Sequence, residues 1–498
     1  MNLFDQLAPL RAHQGTRRTV GLDDATVTRF AASHPELPTA IAAAAAEYQR
    51  VRDEFPELLD LDEDAQVRAV QGGYVNFYSE DAVNPYVALA ARGPWVVTLN
   101  GAVLHDCGGY GMLGFGHTPQ TVLEALAKPQ VMANIMTPNL AQLRFDRALR
   151  REVGHTRGAC PYAKFLCLNS GSESVSLAAR ITDINAKLMT DPGGRHAGRT
   201  IKRVVVKGSF HGRTERPALY SDSSRKTYVQ HLASYRGEHS VLTVDPYDIE
   251  SLRKIFSDAD TNGWFIEAMF LEPVMGEGDP GRSVPPQFYA AARALTRAHG
   301  ALLLVDSIQA GLRAHGVLSI VDYPGYRDQD APDMETWSKA LNAAQYPLSV
   351  LAVTERAAGL YRKGTYGNTM TSNPRALDVA SAVLAQLTPQ LRDNIRERGN
   401  EAIAKLEALQ SELGGLITKV QGTGLLFSCE LSPQFKGYGT GSTEEWLRER
   451  GLGVIHGGEN SLRFTPHFAV RSDEIDLLVA MVARALLEGP RQRQAVAA

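Results

Sequence analysis

Apolar and polar positions alternate differently in different parts of this chain. Residues 22–72 keep a helical period and are rich in alanine. Within residues 37–55 the run from Ala40 to Ala46 is broken only by Ile41, and Arg50, Arg52, Asp53 and Glu54 follow it. From about residue 95 short apolar runs alternate with longer helical stretches. Runs at 95–99, 165–168, 204–206, 268–271, 302–305 and 348–353 predict strands, and the patterns at 174–188 and 286–299 predict helices. Strand and helix in alternation predict an α/β fold with a mostly parallel central sheet. From about residue 376 the pattern turns helical (376–387, 390–413). It ends in short strands (424–429, 462–465) and a last helix (472–487), which predicts a smaller α+β domain. The expected organisation is an N-terminal helical extension and small-domain segment over 1–94, a large domain over 95–375 and a C-terminal small domain over 376–498.

Length and charge narrow the class. A chain of 498 residues is too long for one core. With 52 basic against 55 acidic residues, net charge −3, neither nucleic acid nor an anionic membrane is expected as partner. The four cysteines (Cys107, Cys160, Cys167, Cys429) form no C-x-x-C pair, and the thirteen histidines show no metal-ligand spacing. No disulfide framework and no metal site is therefore expected, and a reducing, cytoplasmic setting fits. No apolar stretch approaches a bilayer span. Residues 1–20 carry Arg11, Arg17 and Arg18 but no continuous apolar segment, so no secretory signal is expected. A transit peptide is a weaker fit, opposed by Asp5.

In an open α/β sheet ligands gather at the carboxyl ends of the strands, so the residues just after each apolar run carry the chemistry. Three stand out. Asn169-Ser170-Gly171-Ser172-Glu173 follows a strand and opens a helix, where backbone N–H groups and the helix dipole suit a phosphate. Asp306 ends a strand and can pair with a buried cation. Lys339, in Trp337-Ser338-Lys339-Ala340-Leu341, can form a Schiff base if its surroundings are dry. Each alone also fits a capped turn or a solvated lysine. Taken in order, a phosphate cradle, a strand-end acid and a lysine describe the needs of pyridoxal phosphate. Gly109-Tyr110-Gly111-Met112-Leu113-Gly114 matches G-x-G-x-x-G, but no helix pattern opens on it, so a dinucleotide site is set aside.

These motifs resemble the class III aminotransferases, of the ornithine, 4-aminobutyrate and lysine type, which are fold type I pyridoxal-phosphate enzymes. The resemblance runs from about Trp95 to the last helix. It includes Gly208-Ser209-Phe210-His211-Gly212-Arg213-Thr214, Leu271-Glu272-Pro273-Val274-Met275-Gly276-Glu277-Gly278, Val305-Asp306-Ser307-Ile308-Gln309-Ala310-Gly311 and Gly367-Asn368-Thr369-Met370-Thr371-Ser372-Asn373-Pro374. It implies that 95–375 is the cofactor-binding domain, with Gly171 and Ser172 holding the phosphate and Phe210 stacking on the ring beside His211. It further implies that Asp306 pairs with the pyridine nitrogen, Gln309 reaches the phenolic oxygen and Lys339 forms the Schiff base. Thr369 would cross a homodimer interface to the partner's phosphate. Ser307 stands where the family usually has Glu, Thr371-Ser372 where it has Gly-Gly, and Asn342-Ala343-Ala344 where it has a glycine-rich loop; Met275 replaces a frequent Gln. These departures put the substrate pocket in doubt and leave the cofactor assignment intact.

Ser461-Leu462-Arg463-Phe464-Thr465-Pro466 resembles the L-R-F-x-P of members that use 2-oxoglutarate and ω-amino acids. By that resemblance Arg463 binds the substrate carboxylate, Glu277 screens it when an ω-amino donor enters, and Tyr110 contacts substrate. The implied activity is transfer of an amino group from an ω-amino or diamino acid to 2-oxoglutarate by a ping-pong mechanism. The alternatives are a mutase, decarboxylase, racemase or phospho-lyase on the same fold, or a non-catalytic binding subunit that has kept it.

Overall fold

The computed structural model describes residues 2–132 and 135–492. Its central sheet is built from strands too apolar to leave either face in water: Leu302–Asp306, Met334–Trp337 and Ser349–Val353 are buried throughout, and Trp264–Leu271 is buried in all but its first residue. Seven strands lie in the order Lys164–Leu168, Ser349–Val353, Met334–Trp337, Leu302–Asp306, Trp264–Leu271, Thr200–Val206, Val241–Val244. Ser349–Val353 runs antiparallel to both its neighbours; the other pairs are parallel. The predicted mostly parallel α/β sheet is therefore present.

Helices cover it because their apolar stripes match. Gly171–Thr190 starts at a capping box in which Ser170 and Glu173 satisfy each other's backbone N–H. It buries Val175, Ala178 and Ile181 in a cluster with Leu168, Val205, Phe270, Leu304 and Leu351. Pro286–His299 begins on a proline and stops at Gly300, whose φ of 86° is the left-handed geometry of a helix stop.

The chain divides into two compact bodies. One is Gln120–Arg396 with Gly422–Leu426 and holds the central sheet; the other comprises the chain up to Pro119, Glu397–Gln421 and the chain from Phe427 onward. These divisions fall later than the boundaries read from the pattern at 94/95 and 375/376. In the second body Trp95–Thr98 pairs antiparallel with Ala88–Arg92 and Val103–Asp106, so this run belongs to a small mixed sheet, whose fourth strand Leu452–Gly453 is parallel to Val103–Asp106, and not to the central one. Four buried residues in a row, three of them apolar, read alike in either setting. The helical stretch at 22–72 is cut into Asp24–Ala31, Glu36–Glu54, a short turn from Pro56 and Glu63–Gln71. Pro35 and Pro56 stand at two of the breaks, because proline disfavours helix in the residue before it. Among the described residues no helix is long and apolar enough to cross a membrane.

Candidate active site

Five strand ends of the large body converge on one cavity of about 170 Å³, and seven of the residues singled out in the sequence line it: Gly171, Ser172, Phe210, His211, Asp306, Gln309 and Lys339. Gly171 and Ser172 open the 20-residue helix Gly171–Thr190, presenting its unsatisfied N–H groups and positive dipole end. Space here is tight: a Cβ on Gly171 would lie 2.6 Å from Ile308 Cδ1, and one on Gly212 2.5 Å from Ser172 Oγ, so those side-chain tips would have to move. The bare backbone is what makes this end a cradle for an anion.

Asp306, 5% exposed, ends the strand Leu302–Asp306. Its Oδ1 accepts the Ile308 N–H at 3.1 Å, and its Oδ2 lies 2.9 Å from His211 Nδ1. His211 is in turn held by its own N–H, which donates to Ser221 Oγ at 2.8 Å. Its Nε2 is buried with no hydrogen-bond partner among the described residues. A buried polar atom without a partner beside a lined cavity fits a site built around a polar group that the protein does not itself supply. Lys339 follows Trp337 by two residues and takes a left-handed φ of 46°. That conformation is costly for a side-chain-bearing residue and is typical of functional positions.

Glu272, which the sequence reading quoted only as part of a motif, also lines the cavity. Its two oxygens accept the Phe210 N–H at 3.0 Å and the Gly276 N–H at 2.9 Å, tying together the loops that carry Phe210 and Glu277. Burial pushes its carboxyl up to about 7, His211 opposing and Asp306 adding to the shift. Its position directly after an apolar run was the signal that could have found it.

The family departures have structural reasons. Ala343 and Ala344 take φ of 50° and 60°, and Ser372 takes 57°. These residues thus hold left-handed turns of the kind glycine takes most readily, at a cost of about 1 kcal/mol each. Ser307 does not line the cavity. Its hydroxyl donates to Glu335 Oε1 at 2.6 Å, and Glu335 also accepts the Ile320 N–H at 2.9 Å, Tyr162 Oη–H at 2.7 Å and the Ser319 hydroxyl. A carboxylate from the adjacent strand thus stands beside position 307, where the family usually has its own. Burial raises the Glu335 carboxyl, and these donors oppose the rise. Glu335→Ala strands several buried donors at once. It is expected to lower stability by about 3 kcal/mol, read as a drop of several degrees in unfolding temperature; an unchanged melting curve would show the network to be dispensable.

The other sequence-selected residues lie apart from this cavity's lining. Thr369 is exposed; its neighbour Asn368 donates to Glu173 Oε1 at 3.0 Å and accepts from Asn169 Nδ2 at 3.2 Å. Glu277 pairs with Arg213 at 3.7 Å, and the Arg213 guanidinium lies 5.1 Å from the centre of the Phe210 ring. Arg463 and Tyr110 belong to the smaller body. Arg463 is 2% exposed on Ser461–Phe464, with its guanidinium 5.1 Å from the centre of the Tyr110 ring, which stacks on Tyr78 at 5.8 Å. The same body holds a cluster that spacing along the chain could not show: His105 and His467 each place Nε2 against Glu474 Oε1, at 2.8 and 2.9 Å. Burial alone would raise that carboxyl, but the two imidazoles hold it well below the ordinary range.

Comparison with known proteins finds aminotransferases. An acetylornithine aminotransferase from Xanthomonas axonopodis pv. citri is 31% identical over 314 residues, 62% of this chain and 71% of that protein. A succinylornithine transaminase from Citrobacter koseri is 29% identical over 316 residues, again 62% and 71%. The ornithine aminotransferase of Toxoplasma gondii shares the fold with a TM-score of 0.72 at 23% identity, over 88% of this chain and 98% of that one. The family described as Aminotransferase class-III matches residues 77–486, so the chain belongs to the class III aminotransferases, pyridoxal-phosphate enzymes of fold type I.

Proposed function

We propose that this aminotransferase moves the amino group of an ω-amino or diamino acid, of the ornithine, lysine or 4-aminobutyrate kind, to 2-oxoglutarate in two half-reactions of ping-pong order. The observation that carries the reading is the meeting of Lys339, Asp306 and the N-terminus of Gly171–Thr190 in one cavity. The named relatives act on ornithine or its acylated forms, which points to the same donor class.

Bound pyridoxal phosphate supplies an electron sink for negative charge developing on the substrate carbon. The backbone N–H groups of Gly171 and Ser172 would hold its phosphate, Phe210 would cover a ring face beside His211, and Gln309 would reach the phenolic oxygen. Asp306, fixed by His211 and the Ile308 N–H, would keep a proton on the pyridine nitrogen. Lys339 would anchor the cofactor's aldehyde carbon. It would also take the proton from the amine-bearing carbon of the donor and later return one, and run the same transfers in reverse for the 2-oxo acid. Arg463, whose guanidinium is buried on a strand, is suited to a bidentate hold on a substrate carboxylate, with Tyr110 as a second substrate contact. Glu277 is a partly exposed carboxylate in a 3.7 Å ion pair, loose enough to change partners, and is the proposed screen for Arg463 when an ω-amino donor binds.

A homodimer completes the reading. Thr369 and its neighbour Met370 are exposed, as are Val131, Met136 and Leu140, at 67%, 80% and 65%. Apolar side chains left in water at that level suit a surface that a second copy covers, bringing Thr369 to the partner's phosphate. The test is a spectrophotometric screen of the holoenzyme against ω-amino and diamino acids. The near-visible cofactor band should bleach with the true donor and recover with 2-oxoglutarate. In Arg463→Ala the recovery should need at least about tenfold more 2-oxoglutarate. A band that bleaches only with α-amino acids lacking a second amine would overturn the donor class, and unchanged recovery in the variant would remove Arg463 from the substrate site.

A further inference from the structure

The smaller body has a second, larger cavity, of about 580 Å³, whose walls include Arg11, Arg17, Arg450 and Arg484. One side is made by residues 11–26, which precede the stretch matching the family at 77–486. The extension, which the transamination reading leaves without a role, thus forms one wall of the cleft, and residues 100–102, Arg450, Leu477, Met481 and Arg484 of the matched stretch form the other.

Its charge is unbalanced. Two carboxylates, Asp23 and Asp24, share the lining with the four guanidinium groups, and both are engaged. Asp24 pairs with Arg11 at 2.7 Å. Asp23 caps the helix Asp24–Ala31 by accepting the Thr26 N–H at 2.7 Å, the main reason its carboxyl lies below the ordinary range. Arg17 and Arg18 are neighbours with opposite fates. Arg18 is saturated by Glu445, Glu449 and Asp64 at 2.5, 2.8 and 3.3 Å. Arg17 makes one long contact, 3.5 Å to the Asn100 carbonyl, and no ion pair with any described residue. Arg450 and Arg484 share the Trp446 ring, 4.2 and 5.8 Å from its centre, and each meets one glutamate, Glu449 at 3.3 Å and Glu488 at 2.8 Å. Between the arginines the wall is mixed: apolar Leu22, Ala102, Leu477 and Met481 share it with Thr19, Thr26 and Asn100.

A cavity of this size is within the range that takes a small molecule, and guanidinium forks gathered around partly apolar walls match a phosphate joined to a nonpolar body. We propose that this cleft binds a small phosphate monoester carrying an apolar or aromatic body, at a site separate from the catalytic cavity. Three of the four arginines already meet one acid each, so Arg17, which has no ion pair with any described residue, is the guanidinium left to take the dianion's charge.

The test is calorimetric titration of the holoenzyme with phenyl phosphate, with inorganic phosphate and phenol as the two halves of the probe. Phenyl phosphate should bind at least about tenfold more tightly than either half, and the affinity should fall as salt is raised. The near-visible cofactor band should not move. Arg17→Ala combined with Arg484→Ala should weaken binding at least about tenfold with the melting temperature kept, while Arg68→Ala, on Glu63–Gln71 away from the cleft lining, should leave it unchanged. Arg17→Glu alone should abolish binding. Affinity unaffected by the Arg17 and Arg484 changes, phenol or inorganic phosphate binding as well as the ester, or no binding at millimolar phenyl phosphate would each overturn the proposal.

Discussion

Lys339→Ala is expected to reduce turnover by at least about 10⁴-fold, because one amine is asked both to anchor the cofactor and to carry the proton. The structure leaves no evident substitute for it. The other lining side chains that bear titratable groups are Asp306, His211 and Glu272, and Asp306 and His211 are tied to each other while Glu272 is tied to two backbone N–H groups. The variant should fold, since position 339 already accepts a left-handed backbone and its neighbours Ala340 and Leu341 carry the packing. Its purified form should lack the near-visible band of the lysine-bound cofactor and should lose the cofactor on dialysis. Lys339→Arg should do no better, because a guanidinium stays charged near neutrality and cannot act as the amine. A Lys339→Ala enzyme working within tenfold of the wild type would remove the proposed mechanism.

What could be read from the sequence follows from where the information is local. Strand ends, the helix that opens at Gly171 and the lysine after Trp337 each sit within a few residues of the pattern that marks them, and the residues read there line one cavity. Pro286–His299 has the bounds its pattern predicts, because proline and glycine punctuate both ends. Trp95–Thr98 was misassigned to the parallel sheet because its pairing partners, not its composition, decide its sheet. The role of Ser307 was hidden for a related reason. The carboxylate beside it comes from Glu335, twenty-eight residues on and one strand over, and strand adjacency is a tertiary fact. Ala343, Ala344 and Ser372 look in sequence like ordinary loop residues, yet each takes a left-handed φ that the residue type does not announce. The arginine cleft lay furthest from view. Arg11, Arg17, Arg450 and Arg484 are scattered over most of the chain, and only folding shows that they line one cleft and that Arg17 has no ion pair there with a described residue.

Asp306→Asn is the second large effect expected, and it separates charge from shape. Asparagine keeps the size of the side chain and an oxygen for the Ile308 N–H, but gives up the negative charge. At contact distance two unit charges in a protein of effective dielectric constant about 20 attract by about 4 kcal/mol. If that attraction is what keeps the ring nitrogen protonated while the electron sink fills, kcat should fall about 10³-fold. Glu272 cannot take over. It lies in the same cavity, but burial holds its carboxyl up to about 7, so it is largely neutral under mildly acidic conditions and only partly charged near neutrality. Removing the Asp306 charge also takes away one of the influences that raise Glu272, so the variant should recover a little activity as pH increases through neutrality, where the wild type does not need to. Cofactor retention and melting temperature should change far less than kcat, because the phosphate cradle at Gly171 and Ser172 is untouched. Asp306→Glu, with the charge kept but displaced by one methylene, should lose less than Asp306→Asn. If instead the asparagine variant keeps its rate, or loses rate and cofactor together, then Asp306 serves only to position His211 and the electrostatic role assigned to it is wrong.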